Sequence, residues 1–430
     1  MPMARGARKG RLGTALLLGI VLAFVSIGRA RSDDGTIKVG ILHSLSGFSA
    51  ETEAPLKDVV LMLIDLQNKQ GGVLGKKLEA VVVDPASNWP LFAEKARELI
   101  TKDEVSVIFG GWSGKSLLAV EQVLKENNGV LFYPSREGFS PVSNVFFTGG
   151  APSQSVIPAI DYLMKKEGVQ HWVIESSESF YPQPMHDMLQ DYLKSKGVGD
   201  RDISVNRTQV GSSDWKDRVS GIGRFGSEGK KTAILLAVPN YAAADFSSEL
   251  RGQGVRPQDV PVVDLSMNEV QSPQAGYGPF VGHLIVSNYL PSVSTPVNDQ
   301  FIKALREFTR DPKRVPSEAM EAHFIGFNMW VKAVEKAHST DPDRVIDALP
   351  GIEVPNLSGG ISKMLPNHHI TKPVFIGEVN SDGRISMVSK LLDGASSGTT
   401  NCPNCPKSGA CPQAVVATCT ACPKSGACPQ

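Results

Sequence analysis

A glycine-rich segment between an apolar run and an amphipathic run is the first place where this sequence could bind a small molecule. Residues 105–109 predict a β-strand, and Gly110-Gly111-Trp112-Ser113-Gly114-Lys115-Ser116 leads from it into a helical pattern. Glycines let backbone amides come close to a ligand, and the first turn of a helix offers free N–H groups. Trp112, Ser113 and Gly114 are therefore candidate ligand contacts. A tight turn without a ligand is the alternative.

Two further predicted strands end in polar and aromatic side chains. Residues 130–133 lead into Tyr133, Ser135 and Arg136, and the apolar run 232–238 leads into Asn240 and Tyr241. Tyr133 offers a ring face and a hydroxyl, and the guanidinium of Arg136 can pair with both oxygens of a carboxylate. The alternatives are a core aromatic for Tyr133, a solvated rim charge for Arg136 and an ordinary loop start for Asn240 and Tyr241.

The cysteines form a duplicated pattern at the end of the chain. The segment Cys-Pro-Lys-Ser-Gly-Ala-Cys-Pro-Gln occurs at 405–413 and again at 422–430, each copy with a further cysteine three residues before it. Two Cys-x-x-Cys pairs could complete a tetrahedral site for zinc or another thiophilic metal, whereas an exported compartment favours disulfides. We expect disulfides before metal; a disordered extension is the third interpretation. The residues are Cys402, Cys405, Cys411, Cys419, Cys422 and Cys428.

Signatures of enzymes and of nucleic-acid binding are missing from the sequence. It has neither a phosphate-loop pattern nor a His-Glu-x-x-His zinc pair. The adjacent His368 and His369 lie in a predicted loop, where an exposed pair is expected before a weak surface metal site. The 44 basic residues balance the 44 acidic ones, and no long basic stripe is visible. We therefore predict a binding protein without enzymatic activity, cofactor or nucleic-acid partner.

Alternating apolar and helical patterns must position the candidate residues. Strands and helices that alternate at this length form βαβ units around a parallel sheet, which predicts an α/β protein. The second alternation starts near residue 152, so the chain should form two lobes with a cleft, a common place for ligands. Predicted strands are 37–42, 78–83, 105–109, 130–133, 172–174, 232–238, 262–265 and 283–287, with a hairpin at 374–388. Predicted helices are 55–67, 90–99, 116–125, 156–165, 185–194, 242–250, 298–308 and 318–337.

The N-terminus carries the three parts of a secretory signal. Four basic residues precede an apolar run at 12–27, and Gly28-Arg29-Ala30 supplies the small residues that a signal peptidase reads. The run is slightly short for the alternative, a membrane anchor. We expect residues 1–30 to be removed and the mature chain to be periplasmic or secreted. The cysteine-free body fits an exported protein.

A series of short motifs lies along the chain at residues 39–47, 71–77, 86–90, 92–97, 131–134, 282–283, 288–289, 320–322 and 372–374. In their order and spacing these motifs resemble those of periplasmic binding proteins of type I fold and, among them, of the urea and short-chain amide receptors. The resemblance extends over about residues 37–391. It implies two doubly wound parallel-sheet lobes joined by a three-crossing hinge. Lobe one is expected at 35–151 plus 290–351 and lobe two at 152–289 plus 352–392, followed by the Cys-rich tail at 398–430.

The resemblance also implies a pocket, from which this sequence departs at three positions. Residues 177–182 are similar to the family's Ser-Asp-Tyr-x-aromatic-Pro, with Ser179 in place of the tyrosine and Tyr181 as the second aromatic. The family has an aromatic at Trp112, a hydroxyl residue at Gly114 and an additional tyrosine near Arg136. The smaller residues imply a roomier pocket, in which a larger amide or a carboxylate-bearing amide binds more tightly than urea.

The function implied by the resemblance is that of an exported receptor. It would capture urea, a short-chain amide or a related small polar, amino-acid-like solute in the interlobe cleft and deliver it to the membrane permease of an ABC transporter. A periplasmic ligand-sensing subunit of a signalling or regulatory system is the alternative on the same fold.

Overall fold

The computed structural model describes most of the chain between residues 35 and 392. Described are residues 35–136, 140, 142–151, 154–177, 183–208, 215–226, 229–238, 240–265, 267 and 276–392. The predicted signal peptide and the six tail cysteines lie outside the described residues. Within the described ranges, no helix is both long enough and apolar enough to cross a bilayer.

The first lobe is built on a sheet of five parallel strands in the order β2-β1-β3-β4-β5. Its residues alternate between two cores: Val107 and Phe109 pack with the helices at 50–69 and 318–337 on one face, and Ile108 packs with those at 89–101 and 114–127 on the other. Burial on both faces explains why β1 and β3 are almost continuously apolar. The strands are Ile37–Leu42 (β1), Leu78–Val83 (β2), Val107–Gly110 (β3), Leu131–Tyr133 (β4) and Val145–Phe147 (β5).

Helices from two separate parts of the chain cover this sheet. The longest of those late in the chain, α9, begins after Ser317, whose hydroxyl accepts a hydrogen bond from the N–H of Met320, and ends at His338 in a left-handed conformation. Such a cap satisfies a backbone donor that the first helical turn leaves free. The helices are Ala50–Lys69 (α1), Trp89–Thr101 (α2), Gly114–Asn127 (α3), Pro296–Thr309 (α8), Glu318–Ala337 (α9) and Pro342–Ala348 (α10).

The second lobe has a seven-stranded sheet in the order β14-β13-β10-β9-β8-β6-β7. Strands β6 to β10 are parallel, and β13 and β14 add an antiparallel hairpin, as the sequence predicted. The strands are His171–Ser177 (β6), Ile203–Thr208 (β7), Thr232–Ala237 (β8), Val262–Asp264 (β9), Leu284–Ser287 (β10), Val374–Val379 (β13) and Ile385–Leu392 (β14). The helices are Val156–Tyr162 (α4), Gln183–Ser195 (α5), Lys216–Gly226 (α6) and Asn240–Gly252 (α7), with a π-helical turn at Leu163–Glu167 and 3-10 turns at Asp200–Asp202 and Gly278–Phe280.

The chain passes between the lobes three times, and the third crossing comes later than predicted. Strands Glu353–Pro355 (β11) and Ile361–Lys363 (β12) form a small hairpin. Val354 and Ile370 join the core of the first lobe, whereas Val374 joins that of the second. The boundary predicted at residue 352 was therefore wrong, because the hairpin buries its apolar residues against the first lobe.

Side-chain amides connect the three crossings to one another. The buried Asn288 donates from Nδ2 to the carbonyl oxygens of Gln154, at 2.8 Å, and Pro373, at 2.7 Å. Gln154 donates in turn to the carbonyl oxygen of Ile370 at 2.7 Å. A Cβ atom at Gly150 would lie 1.8 Å from Oδ1 of Asn288, so this position admits only glycine while Asn288 keeps its place.

A buried ion pair anchors the third crossing to α9. Nζ of Lys372 lies 2.9 Å from Oε2 of Glu321, and both side chains are fully buried. The other carboxylate oxygen of Glu321 accepts the N–H of Leu357 at 3.2 Å. Burial raises the pKa of Glu321, although Lys372 opposes the shift. Removing either partner would therefore leave the other charge buried without its counter-charge, which costs much free energy.

The two histidines before the third crossing are packed rather than exposed, which corrects the sequence-based expectation. His369 stacks on the ring of Phe147, with centroids 4.6 Å apart, and is 5% exposed. His368 stacks on Phe146 at 4.3 Å. Burial, together with the charge of His368, lowers the pKa of His369 to about 4.

We expect Lys372→Met to lower the free energy of unfolding by about 3–5 kcal/mol, because it leaves a carboxylate buried without its cation. The double variant Lys372→Met/Glu321→Gln should recover at least half of that loss, since the glutamine keeps an acceptor for Leu357. Urea unfolding of both variants measures the difference. Lys363→Met, which breaks the exposed pair with Glu353, is the matched control and should cost less than about 1 kcal/mol. Equal losses in the single and double variants would refute the coupling.

The unfolding free energy should also fall in weak acid through His369. The unfolded chain takes up a proton on this residue below a pH of about 6.5, whereas the folded chain does so only near 4. The unfolded state therefore binds more protons in this window, and stability decreases as the pH falls through it. Between pH 7 and pH 5 the wild type should lose about 2 kcal/mol more than His369→Phe, measured by urea unfolding. Parallel pH profiles would contradict the buried neutral histidine.

Candidate ligand-binding site

The carboxyl ends of strands in both sheets border the crossings. Strand β5 leads directly into the first crossing and β10 into the second. All strands of the first sheet are parallel, so the segments after β1, β3 and β4 lie along the same edge. Open α/β sheets bind ligands outside the carboxyl ends of their strands. The candidate site is therefore the first-lobe wall made by residues 111–116 and 134–136.

The segment after β3 is a compact turn that opens α3. A Cβ at Gly110 would lie 2.1 Å from the carbonyl oxygen of Leu42, and Gly111 has a φ of +75°, so this path needs both glycines. Trp112 follows and packs, half-buried, against the core of the first lobe. The turn thus fixes the direction in which the first turn of α3 points.

The hydroxyls of Ser113 and Ser116 are used within the turn itself. The Oγ of Ser113 accepts the N–H of Ser116 at 3.1 Å, and the Oγ of Ser116 accepts the N–H groups of Trp112 and Ser113 and donates to the carbonyl oxygen of Ser113. This is a capping box. Gly114 is exposed, and an added Cβ there would meet no atom within 4 Å. The first turn of α3 therefore offers open space and backbone N–H groups at Gly114 and Lys115.

The side chain of Tyr133 supports the turn at residues 111–116 through a hydrogen bond. Its ring is buried, 1% exposed, and its hydroxyl donates to the carbonyl oxygen of Trp112 at 3.0 Å. Burial raises the pKa of Tyr133 above its ordinary value. The alternative interpretation as a core aromatic therefore fits the geometry, and Tyr133 acts on the site by holding Trp112.

Arg136 is engaged by protein groups. Its Nη1 donates to the carbonyl oxygen of Val286 at 2.8 Å, and its Nε lies 3.4 Å from Oε1 of Glu318. Burial tends to raise the pKa of Glu318, but Arg136 and Lys372 outweigh it and hold the value below the ordinary one. Ser135, beside Arg136, is half-buried. The carboxylate that Arg136 was expected to find in a ligand is thus supplied by α9.

A second polar network holds the segment after β1. His43 places Nδ1 3.3 Å from Oε2 of Glu53 and Nε2 2.8 Å from Nε2 of His323, all three side chains being buried. Burial raises the pKa of Glu53, but contacts from His43, Ser49 and the N–H of Ser44 outweigh it and lower the value. Burial also lowers the pKa of His323. Sequence reasoning missed this network because His323 lies 280 residues from His43 in the chain.

The opposite wall is described only in part. Asn240 and Tyr241 open α7 immediately beyond the carboxyl end of β8, and their contact with a ligand stays a prediction. The candidates Ser179 and Tyr181 lie outside the described residues. The structure thus brings together Trp112, Ser113, Gly114, Tyr133, Ser135 and Arg136 on the first lobe.

Comparison with known proteins identifies the family. A family model for the periplasmic binding protein domain matches residues 37–394. The Leu/Ile/Val-binding protein BraC3 of Rhizobium johnstonii is 24% identical over 358 residues, which cover 79% of this chain and 89% of that protein. Limonene hydroxylase of Geobacillus stearothermophilus is 32% identical over 108 residues, 25% of this chain and only 19% of the relative's length.

Solved structures agree in fold. A solute-binding protein of an ABC transporter from Rhodopseudomonas palustris, crystallised in complex with p-hydroxybenzoic acid, superposes with a TM-score of 0.71 at 21% identity. The match covers 85% of this chain and 100% of that one. Both predicted parallel-sheet lobes are confirmed by this comparison. The chain belongs to the periplasmic binding protein family and has its type I fold.

Proposed function

We propose that this protein is the solute-binding receptor of an ABC transporter and captures a small polar solute between its lobes. The observation that carries the proposal is the open first turn of α3, placed at the carboxyl edge of the first sheet beside the crossings. Backbone N–H groups at a helix N-terminus favour an acceptor-rich or anionic ligand group. The binding functions named for the Rhizobium and Rhodopseudomonas relatives support the same role.

The solute carries a planar polar group, either an amide, as in urea and short-chain amides, or a carboxylate. Trp112 supplies an apolar face beside the exposed helix start, and Lys115 adds an exposed positive charge. Leucine, isoleucine and valine, which the name of the Rhizobium relative gives, and p-hydroxybenzoic acid, which is present in the Rhodopseudomonas structure, each contain a carboxylate. Because Gly114 has no side chain, the wall is roomy and offers no side-chain oxygen at this position, so a solute larger than urea fills it better.

We expect a thermal-shift screen of urea, acetamide, isoleucine and 4-hydroxybenzoate on the protein to yield at least one stabilising compound, by linkage to the folded state. In calorimetry with that compound, Trp112→Ala and Tyr181→Ala should each weaken binding about tenfold or more, as for aromatic anchors. Leu118→Ala, on the exposed side of α3, is the control and should bind like the wild type. Normal binding by both aromatic variants would show that the cleft is assigned wrongly.

Urea should not be the tightest ligand of the wild type, and Gly114→Ser should strengthen its binding. The space around Gly114 accepts the side chain, and a hydroxyl there gives a small amide one further hydrogen bond, worth about 0.5–1.5 kcal/mol or roughly twofold to tenfold in affinity. Calorimetry with urea on both proteins measures the change, with Gly114→Ala as the matched control. Micromolar urea binding by the wild type, unmatched by the larger compounds, would refute this view of the pocket.

A further inference from the structure

One ion pair of the first lobe contacts three consecutive residues where β10 leads into the second crossing. The carboxylate of Glu318 accepts the hydroxyl of Ser287 at 2.8 Å and the N–H of Asn288 at 3.2 Å. Its partner Arg136 donates to the carbonyl oxygen of Val286 at 2.8 Å. We call Arg136 and Glu318 the crossing clamp.

The clamp is anchored on one lobe and holds the other. Arg136 follows β4 and Glu318 opens α9, both within the first lobe. Val286 lies inside β10, paired with Ile376 of β13, and therefore moves with the sheet of the second lobe. A rotation of the lobes that moves β10 relative to β4 therefore changes the distance between Arg136 and the carbonyl oxygen of Val286. Hinges absorb such rotations at a few element-terminal residues, which here include Ser287 and Asn288.

The environment makes these contacts strong. The side chain of Glu318 is 8% exposed and that of Arg136 is 21% exposed, so solvent screens the pair only in part. Hydrogen bonds with a charged partner are stronger than neutral ones. Lys372 and Glu321 form a second ion pair close to the clamp. The two acidic and two basic side chains together carry no net charge.

We propose that Arg136 is a positioning residue that sets the preferred arrangement of the lobes, and through it the affinity for solute, without touching the solute. This proposal rests on the proposed function, since it assumes that the cleft closes on a ligand. A ligand shifts a conformational equilibrium only by its differential affinity for the two arrangements. Weakening the clamp therefore changes the affinity for every solute that binds the same closed form, and by the same factor.

Hydrogen exchange without ligand tests the clamp directly. In Arg136→Met the amides of Asn288 and Tyr289 should exchange faster, on the order of tenfold, while those inside α9 keep their rates. Arg136→Lys retains the charge but cannot form both contacts, so an intermediate rate is expected. Arg97→Met, which breaks an exposed pair with Glu126, is the control and should leave the crossing unchanged. Unchanged exchange at Asn288 in Arg136→Met would overturn the proposal.

Glu318→Gln provides a second route if Arg136→Met does not fold. The glutamine keeps an acceptor for Ser287 and Asn288 while it removes the charge that holds Arg136. Faster exchange of the Asn288 amide is again expected, and an unchanged rate refutes the clamp. These exchange measurements need no ligand, so their outcome is independent of whether the proposed function is correct.

Calorimetry separates positioning from direct contact. With 4-hydroxybenzoate and 4-hydroxybenzamide as probes, a positioning role predicts that Arg136→Met changes both affinities by the same factor. A selective loss of the carboxylate would show that Arg136 binds the solute itself and would overturn the proposal. If neither probe binds the wild type, the proposed solute class is wrong. The hydrogen-exchange result still tests the role of the clamp, because it needs no ligand.

Discussion

The side-chain amide of Asn288 is the contact on which the arrangement of the two lobes depends most. From the second crossing it reaches the carbonyl oxygen of Gln154 in the first and that of Pro373 in the third, and Gln154 connects these two again. Both N–H groups of this buried amide are used, which fixes geometry, because each lost contact would leave a buried donor without a partner. These hydrogen bonds connect the three crossing segments into one unit, which we call the joint.

Two acidic and two basic side chains surround this joint, so that their charges balance. Glu318 and Glu321 occupy the first turn of α9, and Arg136 and Lys372 approach them from the first lobe and the third crossing. Four buried or half-buried ions are tolerable only as a set, since desolvation penalises each one singly. The segments after β1 and β3, in contrast, are stabilised by neutral or paired local contacts: the capping box of Ser113 and the contacts of Glu53. The joint and the binding wall therefore use different interactions.

Sequence patterns predicted the elements that carry a strong apolar or helical signal and missed others, among them the six-residue β7 and the eleven-residue α6. The bounds of β1, β2, β13 and α9 were correct because each carries a continuous apolar run or a clear helical period. Strands β5, β11 and β12, of three residues each, carry no such signal, and the third crossing was consequently misplaced. The position of the candidate segments at one sheet edge was predictable from βαβ order. The partners of Arg136 were not, because Val286 and Glu318 are distant in sequence and meet only in the folded chain.

The order of segments along the chain has a consequence for how the lobes are completed. Strands β6 to β10 of the second lobe come from one continuous stretch, so most of its sheet can assemble from neighbours in sequence. The first lobe closes only when α9 reaches the sheet, as the contact between His43 and His323 across 280 residues illustrates. Contacts of such long range slow folding. The second lobe in turn is complete only when the hairpin β13–β14, which follows α9 in the chain, joins β10. Both lobes should thus be completed late, with the joint between them formed at the final step.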